Sequence, residues 1–464
     1  MGDNALLKKL TDELKEETKD VTALINAVAD EKSFVEYDRF LRGDTPLGAA
    51  VGEGAVSGFC SVGGIDVGIF ATNPAVLKGA IGKRNAQKIV KCVDNAVAAG
   101  NPVIGIYDTK GARLAEGIGA LEGYGAVTAA LSDAYGRVPV ICVVKGASFG
   151  LSAYFAAVCD VCIGFDKSSL CTSSPLIISA KAGVDENKVG SAKIHAEKTG
   201  LYSITVKNER ELAAALKNAL NLLSVSVEGG NDDVNRVCKT LKGGVKAAAL
   251  IKEIFDTGTF LELKPDFAPV VITGLARLNG IAVGVCATDS GYDGGRLTSN
   301  ACVKIGELYN TCEAFGLPIV NLVDCAGAVE DIAEENSSLI REVGNVMYLS
   351  SQLTVGRAAL VYGKAIGAGY TAFASKAAAD YTLCWPDAQI GAVDSVKAAE
   401  LLYRDEIAKA KNKAAALEKL AAAYAAENTA ATAVCGEGYI DNIIEPQFSR
   451  GYLAAAVMSL AGKE

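Results

Sequence analysis

The sequence predicts an α/β protein made of two tandem copies of one strand–turn–helix unit, and three observations carry that prediction. Val138–Val144 is an apolar, β-branched run that enters a turn at Gly146 and Gly150 and leaves through the small-residue segment Leu151–Val158, the order of a buried strand, a sharp turn and a helix. Ala358 to Asp380 repeats the layout around Gly367 and Gly369. Upstream of each copy lies a second matched pair, GNPVIGIYDTKG from Gly100 and GLPIVNLVDCAG from Gly316. Their Pro102 and Pro318, Asp108 and Asp324, and Gly111 and Gly327 keep one constant separation. Agreement in both order and spacing marks an internal duplication.

Bulk composition fits this reading. A chain of 464 residues exceeds one ordinary core, and 50% apolar with 21% charged residues describes a globular protein. Aromatics are scarce at 6%, so Val, Ile, Leu and Ala must fill the cores. The net charge of −9 and the absence of a lysine–arginine block argue against nucleic acid. No run approaches 18 apolar residues, and the mixed-charge start MGDNALLKKL lacks a signal-peptide core, so membrane insertion is not expected. Thirteen cysteines in apolar contexts read as reduced thiols of a cytoplasmic protein. Cys159 and Cys162 form a CxxC without a second CxxC or a nearby histidine, which favours core packing over a metal, and no metal is expected.

Taken in order, residues 1–33 form a helical segment with the stripe Leu6, Leu7, Leu10, Leu14, Val21, Leu24 and Ile25. Residues 34–228 form the first copy. It holds an irregular stretch from Phe34 to Ala50, Gly-punctuated strands ending at Ile65–Phe70, a helix over Ala75–Ala99, a strand over Val103–Tyr107 and a helix over Gly119–Asp133. The organising strand and turn follow, then a strand at Val161–Phe165. Residues 229–247, polar and rich in glycine, read as a linker. Residues 248–464 form the second copy, with two strands joined at Leu278–Gly280, helices over Cys302–Phe315 and Ser338–Leu353, and a long Ala-rich helix from Ser395 to Glu427.

The chemistry sits in the two turns. Each offers main-chain N–H groups, Gly150 with Leu151 and Gly367 with Ala368, to a charge developing on a carbonyl oxygen. Gly111 and Arg113 follow a strand end, where open α/β folds hold ligands. Lys78, Lys83, Arg84, Lys88 and Lys91 crowd one helical stretch, either as a solvated face or to meet cofactor phosphates. His195, the sole histidine, either fills a gap or contacts a ligand.

Several stretches resemble the carboxyltransferase subunit of biotin-dependent acyl-CoA carboxylases and the related acyl-CoA decarboxylases. VPVICVVKGASFGLSAY and GKAIGAGYTAFASKAAADYTLCWPDAQIGA are similar to its two halves, and DTKGARLAEGIGALEGYG to its Asp-Ser-Gly-Gly-Ala-Arg segment. GSAKIHAEKTG, FLELKPDFAPVVITGLARLNGIAVGVCA and GEGYIDNIIEPQFSR keep the family's order from Phe34 to Leu460.

The resemblance implies a tandem duplication of the crotonase (ClpP-like) ββα-spiral fold. Residues 34–228 would bind an acyl-CoA and residues 248–464 biotin. Gly150 and Leu151, and Gly367 and Ala368, would be the catalytic main-chain donors. Gly111, Ala112, Arg113, Lys78, Lys83, Arg84 and His195 would be the cofactor-binding set. Lacking an Ala-Met-Lys-Met sequence, the chain would receive biotin on a separate carrier protein. It would work as a dimer or a trimer of dimers, with a biotin carboxylase or a membrane decarboxylase subunit as further partner.

The chain departs from the family pattern at Lys110, Leu151, Ala326 and Gly356, and at Thr288, Asp289 and Thr371. Two alternatives therefore stand beside this reading. One is a biotin-independent acyl-CoA hydratase, isomerase or decarboxylase using Glu116 or Glu122; the other is a catalytically silent scaffold.

Overall fold

Apolar β-branched runs become the inner strands of two sheets in this computed structural model, which describes residues 2–42, 51–224, 230 and 232–462. The chain divides into the units Met1–Val225 and Ser226–Glu464. In the first, β1 (Val35–Glu36), β2 (Ala55–Val62), β3 (Ile65–Thr72), β4 (Val103–Thr109), β5 (Val140–Phe149), β6 (Val161–Phe165) and β8 (Ile204–Val206) lie side by side in that order. β7 (Ser169–Cys171) pairs with the far end of β5. The second unit repeats the order with β9 (Leu261–Leu263), β10 (Val271–Leu278), β11 (Ile281–Thr288), β12 (Ile319–Cys325), β13 (Arg357–Ile366), β14 (Tyr381–Cys384) and β16 (Asn442–Ile443). There β15 (Gln389–Gly391) pairs with the far end of β13.

Pairings match as well. β2–β3 and β10–β11 are antiparallel hairpins, while β3–β4–β5–β6 and β11–β12–β13–β14 run parallel. The hairpins close on Gly63–Gly64 and Asn279–Gly280, all four at positive φ, as a two-residue primed turn requires.

Side chains repeat the duplication. Buried Lys88, on helix Lys83–Ala99, donates to the carbonyls of Gly52 (3.2 Å) and Ala55 (2.7 Å), whereas Lys304, on helix Ser299–Ala314, donates to Phe267 (2.8 Å) and Val271 (2.7 Å). Each lysine ties its helix to the approach to a hairpin strand. Burial lowers the pKa of both, that of Lys304 to about 8.

Two apolar cores form. Phe70, Ile89, Val103, Tyr107, Val127 and Val140 build the first; Leu250, Val283, Val320, Leu360, Trp385 and Leu453 build the second. The N-terminal stripe contributes through buried Leu14, Val21 and Ile25, while Leu6 and Leu7 remain exposed.

Four local expectations shift. The helix expected over Ala75–Ala99 begins only at Lys83, because Leu77 and Lys78 take positive φ in a short 3₁₀ turn. The segment after Gly150 is a 3₁₀ helix, Gly150–Ala157. The long Ala-rich helix divides into Ser395–Leu402, Arg404–Lys409 and Lys413–Asn428. Asn412 caps the last piece by accepting from the Ala415 N–H at 3.2 Å. In the stretch read as a linker, Leu241 and Cys238 are buried in the second core, and Cys238 N–H donates to the Gln447 carbonyl at 2.9 Å. Residues 43–50, within the stretch expected to be irregular, and 225–229 and 231, around the start of that linker, lie outside the described residues.

The closing motif holds the second unit together through Arg450, whose side chain is fully buried. It donates to the carbonyls of Asp233 (3.0 Å) and Ile254 (2.6 Å) and to Asp256 Oδ1 (2.7 Å). Asp256 in turn accepts the Asn279 and Gly280 N–H groups of the β10–β11 hairpin. Arg450→Ala strands a buried carboxylate, so a loss of about 3–5 kcal/mol in unfolding free energy is expected by denaturant titration.

Candidate active site

Each unit aims its turn by the same device, an aspartate at the end of the strand preceding the organising one. Asp108 Oδ1 accepts the Ala147 N–H at 3.1 Å, and Asp324 Oδ1 accepts the Lys364 N–H at 2.8 Å. Their own N–H groups donate to Thr72 Oγ1 and Thr288 Oγ1, both at 2.8 Å. The carboxylates occupy the space where a Cβ on Gly146 or Gly363 would stand, at 2.4 and 2.3 Å, so only glycine fits either position. Burial raises the pKa of Asp108, opposed by the Ala147 N–H and by the charges of Lys110 and Lys145.

In the first unit β5 ends at Phe149 and the chain turns at Gly150, φ +68°. Phe149 pairs with Cys171, so the Gly150 N–H lies in the β5–β7 ladder and, against the sequence expectation of a Gly150–Leu151 pair, Leu151 is the first helix-start donor beyond it. Leu151 itself is 39% exposed. Gly111, φ +106°, lies against the turn, where an added Cβ would come within 3.3 Å of the Phe149 carbonyl. A cleft of about 570 Å³ opens beside Phe149, lined by Lys110, Lys167, Ser169, Ser174 and Ser191 among others.

The second turn differs by one residue from the sequence expectation. The β13–β15 ladder continues past Ile366, and the Gly367 N–H donates to the Gly391 carbonyl at 2.9 Å. Gly367 therefore supplies the turn (φ +52°), and its N–H is already used. The next groups, those of Ala368 and Gly369, begin helix Ala368–Phe373 and so have no acceptor within that helix. Gly369 is constrained too, since a Cβ there would lie 2.8 Å from the Cys325 side chain. Gly327, φ +107°, repeats the placement of Gly111, its added Cβ falling 3.4 Å from the Ile366 carbonyl.

The other candidates separate into those near the first turn and those spent elsewhere. The Lys110 N–H donates to the Lys78 carbonyl at 3.1 Å, which sets two exposed lysines side by side next to Gly111. Ala112 bridges to Ile81 beneath them. Lys83, exposed, and Arg84, half-buried, begin helix Lys83–Ala99. Arg113 does not present its charge to a ligand. It is 4% exposed and donates to Glu53 Oε2 (2.5 Å), the Glu53 carbonyl (2.7 Å) and the Ala80 carbonyl (3.0 Å). His195 is occupied as well, with Nε2 at 2.8 Å from the Leu170 carbonyl and Nδ1 at 3.0 Å from Thr199 Oγ1. Its work is to hold β7, which pairs with the end of β5.

Residues 17–464 match the family described as the carboxyl transferase domain. The chain belongs to that family. It is 31% identical to the propionyl-CoA carboxylase beta chain of Saccharopolyspora erythraea, covering 95% of this chain and 87% of that one. Against the methylmalonyl-CoA decarboxylase subunit alpha of Propionigenium modestum the identity is 29%, over 94% of this chain and 88% of the relative. The crystal structure of transcarboxylase 12S with methylmalonyl-coenzyme A and methylmalonic acid bound superposes with a TM-score of 0.93 at 26% identity, covering 99% of this chain and 95% of that one.

Membership makes this chain an enzyme, a carboxyltransferase of the biotin-dependent acyl-CoA class, and the two repeated sheets are its crotonase-like duplication. The biotin-independent alternative also lacks its acid. Glu116 accepts the Lys83 N–H (2.6 Å) and Arg113 (3.2 Å), and thus caps a helix; Glu334 does the same for Ser299 in the second copy. Glu122 lines a different groove with Lys83, Gln87 and Val90.

Burial lowers the pKa of His195, only partly offset by its bond to Leu170. The neutral ring's contribution is complete above the unfolded value of about 6.5 and is lost as pH falls through the folded one. Chemical denaturation from pH 7.5 to 5 should show wild type losing stability faster than His195→Gln, the two curves converging on the acid side.

Proposed function

We propose that this carboxyltransferase moves a carboxyl group between the α-carbon of an acyl-CoA and biotin on a separate carrier, with one turn assigned to each reactant. Among the main-chain N–H groups, that of Leu151 holds the thioester oxygen as it gains enolate charge. Those of Ala368 and Gly369 take the ureido oxygen of biotin. The observation that supports this is the presence, in each unit, of a positive-φ glycine turn that starts a helix and is held in place by an aspartate and its partner glycine.

Such donors are fixed before the reaction, so they stabilise developing charge without reorganising. Helix-start N–H groups fit a ureido carbonyl as they fit a thioester carbonyl. When bound, carboxylated biotin supplies the activated carboxyl group and a ureido nitrogen that accepts the α-proton. No side-chain base is then required of this chain, which agrees with both turns lacking one. The first turn keeps the thioester carbonyl polarised in either direction of transfer.

The subunit functions in an oligomer with a biotin carrier. Two copies form the smallest working unit, in an assembly that presents the first turn of one copy to the second turn of a neighbour, and three such pairs form the ring. A biotin carboxylase or a membrane decarboxylase subunit completes the complex. Lys78, Lys83 and Lys110, exposed around Gly111, meet the phosphates of coenzyme A. Charge reversal in Lys78→Glu/Lys83→Glu should raise KM for the acyl-CoA about tenfold with kcat nearly unchanged, because phosphate contacts are made equally in ground and transition states.

Proline substitution tests the central assignment. Ala368 occupies the first helical position, where proline fits and removes only the N–H. Ala368→Pro should fold normally and lose about 10²–10³ in kcat for carboxyl transfer to biotin. It should keep exchange of the acyl-CoA α-proton with solvent deuterium, if that exchange is measurable in wild type without biotin. Unchanged carboxyl transfer would remove the second turn from the reaction.

A further inference from the structure

The sequence shows Cys159 and Cys162 as an isolated CxxC, but the fold adds a third sulfur. β5 and β6 are paired so that Cys142 stands directly opposite Cys162. Cys159 enters from the loop after the 3₁₀ helix Gly150–Ala157, and the three Sγ atoms all lie within 4.8 Å of one another. Cys142 and Cys162 are 3% and 2% exposed, within the core that also holds Tyr107, Phe155 and Tyr202. The Cys159 thiol is held toward the Ala156 carbonyl at 3.3 Å. Among the described residues no carboxylate or imidazole joins the set. The neighbouring Asp160 uses Oδ2 to accept the Val140 N–H at 2.8 Å.

We infer that Cys142, Cys159 and Cys162 form a three-sulfur site for one thiophilic d¹⁰ cation of the cuprous type. An ion at the centre of a triangle with 4.8 Å sides lies about 2.8 Å from each sulfur, against about 2.3 Å for a metal–thiolate bond. Drawing each sulfur inward by about half an ångström closes that gap. Cys159 is on a loop, and its movement requires no strand to break.

Ligand number selects the ion. Zinc in a structural site takes four ligands, whereas an all-sulfur set of three in apolar surroundings suits soft monovalent copper. Binding releases two thiol protons to solvent and leaves the third sulfur as a neutral donor, with no change in oxidation state. The bound ion supplies the positive charge that makes thiolates tenable in this core. It would tie the trailing end of the Gly150–Ala157 helix to β5 and β6, and the leading end of that helix carries Leu151.

The test uses full-length protein, reduced and anaerobic, titrated with Cu(I) in competition with bicinchoninate. The expected result is one chelator-resistant ion per chain and a raised Tm. Affinity should fall at least tenfold in Cys142→Ala and Cys159→Ala and hold in Cys286→Ala, a buried cysteine of the other unit. Circular dichroism checks each fold. Cys159→Ala alone decides the matter should the strand variant misfold, because Cys159 is only half-buried. Equal retention by wild type and Cys159→Ala, no retained ion, or loss of two titratable thiols to a disulfide would each overturn the site.

Discussion

Each half of this protein depends on a turn that starts a helix at the end of a strand, where the first main-chain N–H groups find no partner in their own helix. A backbone donor left unpaired costs free energy when water is excluded, so folds normally eliminate such groups. Here the surrounding structure prevents it. Asp108 and Asp324 grip the strand that leads into the turn, and the absent Cβ of Gly146 and Gly363 lets the carboxylates reach it. Gly150 and Gly367 at positive φ then turn the chain away from the ladder before the next donors can be used.

The duplication preserves this device more faithfully than it preserves the sequence around it. Lysines buried at matching places, glutamates capping matching helices and glycines packed on matching carbonyls recur where the neighbouring residues have changed. The halves diverge where the reactants would differ. The first turn continues as a 3₁₀ helix beside a serine- and lysine-lined cleft, while the second continues as an α-helix over Cys325. One scaffold thus holds two sets of donors in different surroundings, as a reaction between two carbonyl compounds requires.

Much of this was legible in the sequence because the duplication is local and glycine-marked. Strand, turn and helix around Gly150 and Gly367 follow from apolar runs and turn residues, and the Asp108 and Asp324 register follows from a constant spacing. Longer-range pairing was not visible. The three-residue strands β7 and β15 carry no periodic signal, yet they decide that the Gly150 and Gly367 N–H groups belong to the ladders and the next residues start the helices. Arg113 and His195 look functional as residue types, but burial beside Glu53 and Leu170 employs them in holding loops. A glycine two residues beyond the turn was the available signal for Gly369, and Cys142 gave none, since only strand pairing brings it to Cys162.

The most direct measurement is a crystal structure of the assembled enzyme with an acyl-CoA and biotin bound together. This account predicts the thioester oxygen about 2.7–3.1 Å from the nitrogen of Leu151, and the ureido oxygen at the same distance from those of Ala368 and Gly369. Either oxygen held instead by side chains, with those N–H groups facing solvent, would contradict it.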